Sequence, residues 1–412
     1  VNRRVAVTGI GTVSSLGNDA EALITAARAG RSGVRRLDTA FAHRLNDPVA
    51  ATADVDDEAL GMPPAKLRML DRVSRFALHS ANQALASSSD ALAGLDPARA
   101  GTFLGTGVAG TQSIDDSYRT LYEQGSDRIA PFTVLMGMHN AAASWIGGEH
   151  GLEGPQLTYS TACSSATVAI GEAWRRVAGG ELELALAGGA EAPLSYGSLQ
   201  AWAALRTLAG TQGDDPSAAC RPFSKDRSGM VLGEGAAVLV LEPLERAVAR
   251  GATVLGEVIG YAATNEAGHI TRPTVDGQAA AMRAALGSAD IDAGQIEAIN
   301  AHGTGTRAND ATETAAIRQV FGAHAESIPI SATKSMHGHL LGAAGAIEAA
   351  LALLAMRERI ALPTRHLNQP DPVCDLDYVP NAVREGISAR TTLSSSFAFG
   401  GSNAVLVLRA GR

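Results

Sequence analysis

Cys163 stands where a β-prone run meets a helical one. The segment TYSTACSSATVAIGEAW, residues 158–174, is extended in character up to Ala162 and then takes a helical period through Ala166, Ile170, Ala173 and Trp174. At such a corner the sulfur faces the free N–H groups of the helix that follows. The positive end of that helix favours thiolate over thiol. The chemistry on offer is nucleophilic attack with a covalent acyl intermediate. A buried structural cysteine is the bland alternative. Arg175 and Arg176 fall near the helix end, where cations are favourable, and Gly179–Gly180 can stop it. Cys220 and Cys374 lack any comparable setting and read as structural.

Two further segments offer imidazoles: NAHGTGTRAND, residues 300–310, and SATKSMHGHLLGAAGA, residues 331–346. Each follows a short apolar strand and sets a histidine in a Gly-containing loop before a helix. Cys163, His302 and His339 thus share the carboxyl ends of strands, where open α/β sheets bind ligands. Any one histidine could simply be a satisfied hydrogen-bonding residue. A sharper rival is a three-histidine zinc site of His302, His337 and His339, but no acidic ligand spacing or hydrolase signature accompanies it. Gly105-Thr106-Gly107-Val108-Ala109-Gly110 matches the dinucleotide fingerprint GxGxxG and follows a strand. It begins near residue 100 rather than at the opening of a βαβ unit, and no convincing acidic ribose partner ends a following strand.

The elements that must position these loops alternate along the chain. Strands are expected at 4–9, 102–105, 156–162, 182–188 and 236–241, then at 254–261, 298–302, 328–332, 394–398 and 403–408. Helices are expected at 19–29, 66–86, 164–178, 277–285, 311–320 and 342–356. A turn is expected at 11–17, a surface loop at 210–219 and a short polar loop at 124–128. Two halves of similar βα pattern divide near residue 250, which gives an N-terminal half, 1–250, with the cysteine and a C-terminal half, 251–412, with both histidines. No long linker separates them.

Bulk properties agree with an α/β layered fold. The 412 residues are 46% hydrophobic, 18% charged and only 4% aromatic, with many small residues that suit close packing of helices on sheets. The net charge is -8, so no nucleic-acid partner is expected, although a local basic patch for an acidic protein is compatible with it. Three sparse cysteines argue against a disulfide framework and for a reducing, cytoplasmic setting. No signal peptide and no membrane span are expected.

At this point the chain resembles a known family. TACSSA around Cys163, HGTGT at His302 and KSMHGHLLGAAGA at 334–346 are similar to the three active-site motifs of the β-ketoacyl-acyl carrier protein synthases. The likeness runs from VAVTGIGTVSSLG to SSSFAFGGSNAVLVL, essentially the whole chain. It is strongest to the elongating type II enzymes and the discrete polyketide ketosynthases related to them. The resemblance implies a thiolase fold of two pseudo-duplicated halves in a five-layer α-β-α-β-α sandwich, usually dimeric. It implies a decarboxylative condensation of a Cys163-bound acyl chain with malonyl-carrier protein. No cofactor is implied, because the phosphopantetheine arrives on the acyl carrier protein.

Residue roles follow by resemblance only. Cys163 takes the acyl chain. The N–H groups of Cys163 and Phe399 form the oxyanion hole, and Phe399 also gates the nucleophile. His302 and His339 bind the malonyl thioester oxygen. Lys334 does electrostatic and positioning work with Glu313 as its ion-pair partner. Thr304 and Thr306 contact the phosphopantetheine arm, and Thr271 lies in another pocket loop. Val108 and Trp202 line the acyl pocket, with core packing as the alternative, and Phe397 reads as core. Lys66, Arg68, Arg72 and Arg206 resemble basic positions that meet the carrier protein. His337 stands where the elongating synthases usually carry Thr, and HGTGT, Arg272 and Trp202 also depart from the fatty-acid pattern. Those departures concern substrate, not reaction type. The partner is a second copy of the chain or a chain-length-factor homologue. A non-catalytic subunit of that latter kind is a poor fit, since such proteins lack the cysteine.

Overall fold

The first strand shows how closely the layers pack. Strand β1, Val5–Val13, is buried along its whole length. A Cβ on Gly9 would lie 2.1 Å from the carbonyl oxygen of Ala84, and one on Gly11 would lie 1.9 Å from that of Ser80. Only glycine lets helix α1, Arg72–Ser87, lie directly on the strand. The turn expected from Gly11 therefore begins only after Val13, because Gly11 and Thr12 still pair with the neighbouring strand. The computed structural model describes residues 3–211 and 215–411, so the surface loop expected at 210–219 lies partly outside the described residues.

Four more strands of the main sheet come from the first half: β2 Ala100–Gly105, β3 Gln156–Tyr159, β4 Leu184–Glu191 and β5 Gly235–Pro243. The second half has β6 Gly256–Asn265, β7 Ala298–Asn300, β8 Ile330–Ser331, β9 Thr391–Phe397 and β10 Ser402–Ala410. The order is β3-β2-β4-β5-β1 in the first half and β8-β7-β9-β10-β6 in the second. These are the same order, and the successive pairings are parallel, parallel, antiparallel, antiparallel in both. The repeat that sequence identity conceals is thus explicit in topology. A short antiparallel contact of Val5–Val7 with Gly256–Val258 joins the halves.

Helix α2, Ser165–Ala178, and helix α5, Ala344–Glu358, form the middle layer, and each packs on strands of both halves. Helix α1 covers the outer face of the first half. Helix α3, Val275–Ala289, covers the second, and α4, Arg307–Phe321, packs against α3. This is the five-layer thiolase arrangement. Burial explains the composition of α5, AGAIEAALALLAMRE, which is apolar nearly all round because sheets flank it on two sides.

The helix expected at 66–86 is broken. One turn, Pro64–Leu67, ends, and α1 starts anew after Asp71. The Asp71 carboxylate accepts from Val73 N at 3.0 Å and from Ser113 N at 2.9 Å, so a cap stands where continuous periodicity was expected. Helices at Thr111–Tyr122, Thr133–Gly137, Ala141–His150 and Tyr196–Ala204 were not expected from periodicity. Among the described residues no helix is long and apolar enough to cross a membrane, and the three cysteines are free.

Candidate active site

Cys163 lies in a 3-10 turn, Ala162–Ser164, between β3 and α2. Ala162 adopts φ +52°, a left-handed value that turns the chain sharply before the sulfur. Hydroxyls hold that turn: Ser165 Oγ donates to Ala162 O at 2.6 Å, and Ser164 Oγ donates to Thr161 O at 2.8 Å. Cys163 as a residue is 5% exposed. The main-chain amides of Phe399 and of Cys163 itself act on its thiol, and both favour the thiolate. Burial nevertheless pushes the thiol up to about 11, against the pull of Lys334 and those two amides. The sequence expectation of a thiolate favoured by the helix end is therefore corrected for the free protein: desolvation outweighs the local dipoles.

Both imidazoles reach the sulfur from the other half of the molecule. His339 Nε2 is 3.1 Å from Cys163 Sγ, and its Nδ1 accepts the N–H of Leu341 at 3.1 Å. His302 Nδ1 faces the Lys334 ammonium at 3.3 Å. An ammonium and a backbone amide can only donate, so in each neutral ring the proton sits on Nε2. Two Nε2–H donors thus share one small space, with ring centroids 5.5 Å apart and edge to face. Burial and the Lys334 charge hold both rings well below the usual histidine value, which keeps them neutral.

Lys334 is wholly buried. Its Nζ donates to His302 O at 2.6 Å and to the carboxylate of Glu348 on α5. The expected ion pair with Glu313 is therefore a correction, because Glu348 is the partner. Glu313 instead accepts the N–H groups of His302 at 2.7 Å and Gly303 at 2.9 Å and the side-chain amide of Asn309 at 3.1 Å. Burial raises both Glu313 and Glu348 to about 7. Sequence reasoning missed Glu348. The available signal was one carboxylate inside an otherwise apolar helix, which demands a partner.

A narrow cavity leads to the three groups. Its walls include Thr271, Thr304, Thr306, Phe397 and Phe399. Thr304 and Thr306 share a hydroxyl contact at 2.9 Å. Thr271 Oγ1 lies 3.3 Å from His269 Nδ1 in the exposed loop opposite. The loop Phe399–Gly401 leans on that same segment, since Gly400 N donates to Ile270 O at 2.7 Å and Glu266 N donates to Gly401 O at 3.0 Å. Gly400 at φ +85° makes the turn possible directly beside the amide that faces the thiol.

The comparisons with known proteins bear on this arrangement as a whole. The family model described as "Beta-ketoacyl synthase, N-terminal domain" matches residues 2–247, and "Beta-ketoacyl synthase, C-terminal domain" matches 255–368. The chain belongs to the β-ketoacyl synthase family. It is 41% identical over 409 residues to nodulation protein E of Rhizobium sp. (strain N33), covering 99% of this chain and 100% of that protein. It is 40% identical to 3-oxoacyl-[acyl-carrier-protein] synthase 2 of Coxiella burnetii, covering 98% of each. A solved complex of a type II polyketide-synthase acyl-carrier protein with its ketosynthase bound to the hexaketide matches at 31% identity and a TM-score of 0.91, covering 100% of both chains.

Other expected positions of the synthase divide into those near the cavity and those away from it. Trp202 is half-buried and stacks on Phe399 with centroids 6.2 Å apart, and Val108 sits in the loop after β2. Neither lines the cavity at Cys163. Phe397 packs edge-on against His302. His337 is not one of the groups gathered at the sulfur: its Nε2 bonds Thr333 Oγ1 at 3.0 Å, its Nδ1 has no partner among the described residues, and burial lowers it to about 3. The three-histidine set is thus not assembled. The group whose ligand atoms lie within 4.8 Å of one another is Cys163, His302 and His339.

The glycine motif has its own anion. Glu191, at the end of β4, accepts Gly107 N at 2.5 Å, Val108 N at 3.1 Å, Thr106 Oγ1 at 3.1 Å and Gly342 N at 2.8 Å. A buried carboxylate occupies the amides that would cradle a phosphate, and burial raises it to about 7. Of the four basic positions, two are tied down. Lys66 pairs with Glu149, and Arg72 makes a two-point contact with Glu234 at 2.6 and 2.9 Å. Arg68 and Arg206 are exposed and enter no ion pair among the described residues.

Proposed function

We propose that the protein elongates acyl chains on acyl carrier protein by decarboxylative condensation, with Cys163 as nucleophile. The observation that carries this is the convergence of one thiol and two Nε2–H donors on the wall of a single cavity. Cys163 attacks the acyl thioester, its proton leaves with the carrier thiol, and the N–H groups of Cys163 and Phe399 hold the carbonyl oxygen. Malonyl-carrier protein enters next. His302 and His339 donate to its thioester oxygen as the carboxylate leaves as CO2. The resulting enolate carbon attacks the acyl-Cys163 carbonyl. The sulfur departs and takes up one proton, and a 3-oxoacyl-carrier protein is released. Lys334 acts through His302, holding the acceptor side of its ring.

Thr304, Thr306 and Thr271 take the phosphopantetheine arm. Val108 and Trp202 belong to an acyl pocket that opens when Phe399 moves. Arg68 and Arg206 meet the carrier protein. The division near residue 250 separates the half that carries the nucleophile from the half that carries the imidazoles, and the repeated strand order supports it. A second related chain, a copy of this one or a chain-length-factor homologue, covers Tyr122, Phe132, Val134, Leu135 and Met138, which are large, apolar and exposed. The cytoplasm suits three free thiols.

The test is product formation. Mixed with acyl- and malonyl-carrier proteins, the enzyme should yield a carrier whose mass matches the 3-oxoacyl thioester. Cys163→Ala should yield none, and full-rate condensation by that variant would end the proposal.

A further inference from the structure

Two consecutive amides after His339 serve two different acceptors. The N–H of Leu341 donates to His339 Nδ1 at 3.1 Å, and the next N–H, that of Gly342, donates to Glu191 Oε2 at 2.8 Å. Leu341 lies at φ +43°, a left-handed value that a branched side chain rarely takes. Backbone of this kind persists only where its surroundings over-determine it. Here they act from both sides. The Leu341 side chain is buried in a cluster with Leu37, Leu194, Leu199 and Leu232, and the amide that follows it is held by the carboxylate.

Glu191 is itself held firmly. It is fully buried at the end of β4. Besides Gly342 N it accepts Thr106 Oγ1, Gly107 N and Val108 N from the loop after β2. The two loops touch: a Cβ on Gly342 would lie 2.2 Å from Gly107 N. The backbone of His339 is fixed separately, since its N–H donates to Val231 O at 2.7 Å and its carbonyl accepts Gly233 N at 2.9 Å. What remains to be set is the ring. The Leu341 amide faces Nδ1 and leaves the proton on Nε2, the atom 3.1 Å from Cys163 Sγ.

We infer that Glu191 is a positioning residue for His339. It anchors the Gly342 amide, keeps Leu341 in its left-handed turn and thereby aims the Nε2–H donor. The inference rests on the condensing reading of the site. Glu191 does not line the cavity, so it acts through the imidazole and not on the substrate. A carboxylate suits this task because it offers two acceptor oxygens and no donor to four converging donors.

The experiment measures two half-reactions apart: acyl uptake by Cys163, from intact mass of the full chain, and CO2 release from malonyl-carrier protein. Glu191→Met, of similar volume and without a comparable acceptor, should lower CO2 release by about ten- to a hundredfold while acyl uptake stays near the wild-type rate. Glu191→Gln should keep most of the CO2 release, since its amide oxygen can still accept Gly107 N and Gly342 N while its NH2 turns to the Thr106 hydroxyl. Imidazole 15N shifts in histidine-labelled protein should show Nε2–H at His339 in the wild type and in Glu191→Gln, and a share of Nδ1–H in Glu191→Met.

Unchanged CO2 release in Glu191→Met overturns the inference. So does equal loss of both half-reactions with the His339 signal unaltered, because Glu191 would then only hold the fold. If Glu191→Met does not fold, Glu191→Gln decides. Retained CO2 release there supports the acceptor role, and its loss with acyl uptake intact would assign the effect to charge and overturn the inference. A wild type that neither takes up acyl groups nor releases CO2 sinks the condensing reading. Nδ1–H at His339 in an active wild type sinks the positioning role alone.

Discussion

Lys334 Nζ stands 3.3 Å from His302 Nδ1 and donates to the carbonyl of the same residue at 2.6 Å. One buried cation thus fixes the tautomer of a ring and anchors the loop that carries it. The counter-charge comes from Glu348, on the helix between the two sheets. A double-mutant cycle on stability should therefore show strong coupling of Lys334 with Glu348 and weak coupling with Glu313. Glu348→Gln alone should cost about 3–5 kcal/mol, because it leaves a buried ammonium without its carboxylate. Thermal or urea unfolding reads this. Equal coupling to both glutamates would contradict the assignment.

His337 makes stability sensitive to acid. Its folded value of about 3 lies below the ordinary 6.5, so the folded state holds the ring neutral while the unfolded chain takes up a proton. That contribution is fully present above pH 6.5 and is lost as pH falls toward 3. Over the middle of that window it costs about 1.4 kcal/mol per pH unit. His337→Thr should remove this slope and flatten the fall in Tm between pH 6.5 and 4.5 relative to the wild type. Glu191, Glu313 and Glu348 work in the opposite sense. Raised from 4.5 to about 7, they gain stability as pH falls through that range, and the comparison of the two proteins cancels them. Parallel slopes would contradict the buried neutral ring.

Glu191 ties the loop after β2 to the loop after His339 through four donors. Glu191→Ala should leave three amides and one hydroxyl unpaired in a buried place, at about 1–3 kcal/mol for each that water does not reach. The Tm should fall sharply, and added NAD should not restore it. A rescue by dinucleotide would mean that the glycine loop is a cofactor site after all.

The thiol and two imidazoles that converge here also have the spacing of a soft-metal site. In the condensing reading the two Nε2 positions carry protons, so activity should be unchanged after dialysis against a chelator. Loss of activity that zinc restores would contradict the tautomers assigned to His302 and His339.

Much of this was legible from residue order. The corner at Cys163 and the strand-end positions of His302 and His339 follow from apolar runs that stop at small polar residues. Both central helices were also legible, Ser165–Ala178 from its helical period and Ala344–Glu358 from a long run of apolar residues. The rest depends on contacts between segments far apart in the chain. Spacing does not point to Glu348 as the lysine's partner in place of the expected Glu313, because the two meet only once the chain has folded back. The glycine motif looked free because its acceptor, Glu191, stands more than eighty residues later. The break before Asp71 was hidden by apolar residues that keep the helical period across it. The thiol's raised value reflects burial, which a local motif does not report.

The account's central claim is a division of labour between sulfur and imidazoles, and intact mass of the enzyme tests it most directly. His302→Ala and His339→Ala, given acyl-carrier protein and then malonyl-carrier protein, should accumulate the acyl adduct on Cys163, while condensation falls by about 10²–10³ for each lost donor. Cys163→Ala should show no adduct. If either histidine variant failed to take up the acyl chain yet still decarboxylated malonyl-carrier protein at the wild-type rate, the roles assigned to the two halves of the site would be wrong.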